Sequence, residues 1–125
     1  MPGIRRIVVP TEITLVSPDT GEVLPPAPAE GLPNPLPFAL FVRRALRSPV
    51  FARKLDAVRS GLMIGNAVGK PGEAFEQPAL VIADEDWRVL RDAIDEPVHL
   101  MLHPAILPQL LPYFDAILNA ELTTA

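Results

Sequence analysis

Ser48-Pro49-Val50-Phe51-Ala52-Arg53-Lys54-Leu55-Asp56-Ala57-Val58-Arg59-Ser60-Gly61-Leu62 carries the clearest periodic signal in the chain. Phe51, Leu55, Val58 and Leu62 recur at spacings of 4, 3 and 4, which puts them on one face of an α-helix, with Arg53, Lys54 and Arg59 opposite. Ser48 before Pro49 is a helix start, a hydroxyl to accept a free backbone N–H followed by a ring already set to the helical φ. The pattern predicts an amphipathic helix with this stripe buried, fading near Gly61 or running on to Val68. A second such start, Asn34-Pro35, precedes a helix expected to turn Phe38, Phe41, Val42, Ala45 and Leu46 inward and Arg43, Arg44 and Arg47 outward.

Downstream, Ala79-Leu80-Val81-Ile82 is short, apolar and bounded by Pro78 and Asp84, which suits a buried strand. Asp84 is expected to cap a helix from Glu85 to about Asp95, buried through Trp87, Leu90 and Ile94 and stopped by Pro97. A last helical region begins near His103-Pro104, carries a stripe from Leu107 to Leu122, and should break at Leu111-Pro112, where an interior proline costs about 3 kcal/mol. Upstream, Ile7-Val8-Val9 and Ile13-Thr14-Leu15-Val16 are β-branched runs, and the turn chemistry of Ser17 to Glu22 pairs 12–17 with 21–25. Six of the chain's 16 prolines fall between Pro25 and Pro37, where each ring removes an amide donor. The expectation is a small single α+β domain: a hairpin arm over 1–24, an extended proline-rich spacer over 25–37, and a mainly helical body with one short strand over 38–125.

With 125 residues, 49% hydrophobic and 21% charged, the chain has room for one core. The absence of cysteine excludes disulfides, thiolate metal sites and a cysteine nucleophile. No apolar run approaches the about 20 residues of a membrane helix, and the few apolar residues after Arg5-Arg6 make no signal peptide, so a cytoplasmic protein without membrane partners is expected. The net charge of −4 hides a segregation: six bases against Asp56 in residues 43–59, and eight acids against Arg88 and Arg91 in residues 73–96.

Candidate sites follow from these patterns. Arg43, Arg44, Arg47, Arg53, Lys54 and Arg59 form a basic face suited to carboxylates or phosphates, although a plain solvated helix face is the commoner outcome. Ile7, Val9, Ile13 and Leu15 give the arm an apolar edge that could dock on a neighbour. His99 and His103, four apart, would share a helix face for a metal, but Pro104 and the lack of a third ligand favour a structural pair. Asp84-Glu85-Asp86 reads as helix capping before cation binding, Gly69-Lys70-Pro71-Gly72 as a turn without phosphate-loop spacing, and the Pro-x-x-Pro of Pro25 to Pro28 as linker. No catalytic signature or cofactor motif is present.

Phe38-Ala39-Leu40-Phe41-Val42, Ser48-Pro49-Val50-Phe51, Leu80 to Trp87 and Leu111 to Ala120 give the chain a layout that resembles the small proteins of the structural modules of tailed bacteriophages and prophages. The resemblance implies a non-enzymatic head or tail morphogenesis component, working in the bacterial host cytoplasm or incorporated into a virion, with other protein subunits or copies of itself as partners. Two readings compete with it. One is a nucleic-acid-binding accessory protein using the basic helices of 38–60; the other is a small metal-dependent enzyme using His99 and His103.

Overall fold

The computed structural model describes residues 3–27, 32–70 and 73–124. Strand β1 (Gly3–Val8) pairs antiparallel on one side with β2 (Ala79–Ala83) and on the other with β3 (Glu121–Thr124), so the sheet order is β2-β1-β3. Ile7 lies opposite Leu80 and Arg5 opposite both Ile82 and Leu122. The two-residue alternation then sends Ile7, Leu80 and Ile82 into the core while Arg6, Val8 and Val81 face out.

Four α-helices accompany this sheet: α1 (Phe38–Ala45), α2 (Leu55–Val68), α3 (Asp84–Ile94) and α4 (Leu111–Leu118). The architecture is α+β, as the patterning predicted. Helix α1 is the most enclosed, buried through Phe38, Phe41, Val42 and Ala45. Phe41 meets the rings of Phe114 and Tyr113 edge-on at 5.0 and 5.4 Å, the favourable arrangement for aromatic pairs. Helix α3 buries Trp87, Leu90 and Ile94 and ends ahead of Pro97 as expected. The proline-spaced C-terminal region divides into a 3-10 turn over Leu107–Leu110 and α4, with Pro112 in the first turn of α4, where its missing N–H costs nothing.

The first third of the chain departs from the expected arm and spacer. β1 is the central strand, not the outer limb of a hairpin. The pairing of 12–17 with 21–25 does form, through the Val16–Val23 bridge and the bond from Leu24 N–H to Leu15 C=O, but it lies on its own domain. Asn34 does not cap a helix. Its side-chain amide donates to the carbonyls of Leu15 and Leu24 while its oxygen accepts from Leu15 N–H. The segment read as an extended spacer folds back, bridging Ala27 to Leu32 and Ile13 to Leu36. Residues 28–31 and 71–72, which include the end of the Pro-x-x-Pro and half of the glycine-lysine turn, lie outside the described residues.

Arg5 ties the two ends of the chain together. Its Nε donates to Asp84 Oδ1 at 2.7 Å, an Nη to the Ala120 carbonyl at 2.9 Å, and its guanidinium lies 3.9 Å from the centre of the Trp87 ring. Asp84, expected to cap α3 with its side chain, makes no cap bond and instead answers Arg5 and Arg88. The hydrogen bond from Arg5, assisted by the positive charge of Arg88, holds its carboxyl below the usual 3.8. A carboxylate with a lowered folded pKa contributes stability above its unfolded pKa and loses it as the pH falls through the folded value. In urea titrations the wild type should exceed D84N in stability at pH 6, and the gap should close as the pH drops below 3.8. A pH-independent gap would refute the ion-pair account. Deleting residues 1–10 removes the middle of the sheet, so circular dichroism on heating should lose its cooperative transition; a retained sharp melt would show that β1 is dispensable.

Candidate functional site

The residues expected to form an apolar docking arm belong to the interior. Ile7 and Leu15 are buried, and Val9 and Ile13 pack against the same core. Tyr113 secures the segment: its hydroxyl accepts from Ile13 N–H and donates to the Leu36 carbonyl. Burial raises the Tyr113 pKa above 10.0, which keeps the hydroxyl protonated and able to donate. The chain therefore satisfies in cis the hydrophobic surface that the sequence offered to a neighbour.

The basic face separates into framework and surface. Arg43 donates to the carbonyls of Val68, Gly69, Lys70 and Glu73, the nearest at 2.7 Å, and so closes the C-terminal end of α2. Arg44 is only 3% exposed and donates to the Leu100 and Met101 carbonyls at 2.9 and 3.2 Å. Neither side chain is on an open basic surface. Arg47, Arg53, Lys54 and Arg59 do reach solvent, with Arg53 at 3.9 Å from Glu96 and Arg59 at 3.7 Å from Asp56.

His99 and His103 do not share a helix face. His99 lies in a 3-10 turn over Pro97–Leu100 with Nε2 at 3.4 Å from Glu96, left-handed Met101 intervenes, and His103 Nδ1 accepts the Ala105 N–H. Among the described residues no three His, Cys, Asp or Glu side chains are grouped to hold a metal, and no helix is long and apolar enough to cross a membrane.

What the structure puts on the surface instead is the stripe that the sequence assigned to the core. Leu55, Val58 and Leu62 are 66, 49 and 64% exposed; of the expected four only Phe51 is buried. The reason is a break in the helix. Ser48 Oγ accepts Val50 N–H and starts a single 3-10 turn over Pro49–Ala52, which stops before Arg53-Lys54; α2 begins afresh at Leu55. Phe51 folds back onto Gly61, where an added Cβ would sit 3.1 Å from its ring. Helix α2 then turns Ala57, Ser60, Ile64 and Val68 inward, and the glycine at 61 leaves room for the Phe51 ring. The same helix is left apolar on both sides, with Lys54 and Arg59 flanking the outer stripe. The inward set at spacings of 3, 4 and 4 was present in the sequence, hidden by the larger side chains of the outer one.

No family model, curated protein or solved structure matches the chain.

The division between framework and surface arginines is open to measurement. Replacing Arg43 with alanine leaves α2 carbonyls without donors and should cost about 1–3 kcal/mol, whereas Arg47→Ala at an exposed position should stay within about 0.5 kcal/mol. Urea unfolding of both variants checks this, and equal effects would refute it.

Proposed function

We propose that the protein is a non-catalytic interaction and assembly component that binds other protein subunits, copies of itself included, through the outer face of α2. The exposed stripe Leu55, Val58 and Leu62 carries this reading. A surface helix ordinarily pairs one apolar side with one polar side, and a helix apolar all round is one that becomes buried. Fully burying a side chain of this kind is worth about 1.5–3 kcal/mol, so three along one helix face offer a substantial apolar contact. The spacing i, i+3, i+7 is also that of helices read in grooves.

The reading shifts the point of contact from the N-terminal segment, whose apolar residues are occupied, to α2. It also weakens the nucleic-acid alternative, since Arg43 and Arg44 are committed to backbone carbonyls. A place among the structural or morphogenesis components of a tailed-bacteriophage-like particle, which the chain resembles in layout, suits a molecule whose outstanding surface feature is a contact.

A photo-crosslinking amino acid in place of Leu62 tests the reading in native cells. Irradiation should give discrete protein adducts that the same group in place of the exposed Glu76 does not give. Equal, diffuse labelling at both positions would refute the proposal.

A further inference from the structure

The structure holds a second surface that matches this stripe in shape and charge. Between α3 and α4 lies an open groove of about 750 Å³, with Ile94, Leu107, Phe114, Leu111 and Leu118 among its apolar walls. Leu111 and Leu118, one helical face apart by two turns, are 55 and 49% exposed there. Pro104 and Pro108 also line it, in the irregular stretch that leads into α4. The groove persists because these rings keep the chain between residues 104 and 110 in turns, so no continuous helix forms to lay side chains across the gap.

The rim of the groove is acidic: Asp92 and Asp95 on the α3 side and Asp115 on α4. The one base of the lining, Arg91, is already engaged, 3.5 Å from Asp92 and over the Trp87 ring at 5.1 Å. The fitting occupant is therefore a helix with three apolar anchors on one face and bases beside them. This chain contains one. Leu55, Val58 and Leu62 supply the anchors, Lys54 and Arg59 flank them, and Arg53 precedes them; the ion pairs of Arg59 and Arg53 within their own molecule are long and solvent-exposed, at 3.7 Å to Asp56 and 3.9 Å to Glu96. Within a single molecule α2 is held on a different flank of α3, across a separate cleft lined by Ala57, Ser60 and Val89. Leu62, Arg53, Lys54 and Arg59 border that cleft as well, but no residue of α2 lines the α3–α4 groove of its own molecule.

We propose that the groove between α3 and α4 receives the outer face of α2 from a second copy of the chain, an inference that rests on reading that face as an interface. The two patches are different surfaces of the molecule, so the contact either closes reciprocally between two copies or continues from copy to copy. The opposite charges of flank and rim set the register of the helix in the groove and make association sensitive to salt.

Analytical ultracentrifugation of the purified full chain, at up to about 1 mM and at two salt concentrations, reads the outcome. The wild type should form species larger than a monomer, fewer at high salt. Leu62→Asp removes an anchor and Leu118→Asp charges the groove wall; both positions are exposed, so each variant should stay folded by circular dichroism and each should weaken association at least about tenfold. Mixing the two variants should restore a pair, because one retains an intact groove and the other an intact α2 face. Should Leu118→Asp fail to fold, Asp115→Lys at the exposed rim gives the same loss. A wild type that stays monomeric throughout, or association untouched by Leu118→Asp and Asp115→Lys, overturns the inference. A crosslink from position 62 to a different protein would remove the second copy as occupant while leaving the assembly reading in place.

Discussion

The guanidinium of Arg5 ties β1 to two distant parts of the chain. It reaches the first turn of α3 through Asp84 and the face of Trp87, and the residue before β3 through the Ala120 carbonyl. Trp87 in turn donates its indole N–H to the Ile117 carbonyl at 2.8 Å, fixing α3 to α4. This convergence, with the burial of Ile7 and Leu80, holds β1 between strands some seventy and more than one hundred residues later. An arginine suits the position because its planar fork can bond and stack at once. The side chain is 18% exposed, so the ion pair keeps some contact with water and avoids the full cost of a buried charge.

The proline-rich segment depends on a different device. Backbone carbonyls and amides near so many prolines have no ladder to join, and buried polar groups must still find partners. Side chains take over. Asn34 serves Leu15 and Leu24, the Gln109 amide exchanges two bonds with Val16 at 2.8 and 2.9 Å, and Tyr113 bridges Ile13 to Leu36. Asn34 closes the segment on itself, while Gln109 and Tyr113 fasten it to the C-terminal region, which is why a stretch that composition reads as an extended tether is part of the domain.

Local pattern was sufficient where one element decided its own structure. Trp87, Leu90 and Ile94 announced the inner face of α3, the short apolar run beside Asp84 became β2, and the prolines at 108 and 112 divided the C-terminal region. It was insufficient where a partner far along the chain decided. β1 is central because of β2 and β3, and Glu121-Leu122-Thr123-Thr124 has too little apolar alternation to declare itself a strand, so Leu122 read as the end of a helical stripe. Arg43 and Arg44 looked like surface charge because helical periodicity says nothing of carbonyls that another loop brings within reach. In α2 the sequence carries two apolar sets, and the stripe that continues from Phe51 is the exposed one because the chain breaks between Ala52 and Leu55; Phe51 packs on Gly61, while Ala57, Ser60, Ile64 and Val68 face inward.

The segregation of charge along the chain has one use within a single molecule: Arg53, Lys54 and Arg59 share the α2–α3 cleft with Glu85, Asp86 and Asp92, and Arg53 lies 3.9 Å from Glu96. Asp95 and Asp115 stand outside that cleft, on the rim of the α3–α4 groove. An apolar stripe with bases beside it and an apolar groove with acids at its rim are complementary surfaces, and no residue of α2 lines the groove of its own molecule. Exposed aliphatic surface without charge beside it invites non-specific association. Opposite charges at the borders oppose off-register docking of the stripe and make like-with-like contact, α2 on α2 or groove on groove, electrostatically costly. On the proposal of a second copy, this arrangement selects one contact between two unlike surfaces, and the packing that leaves Leu55, Val58 and Leu62 outward supplies the surface on which that selection acts.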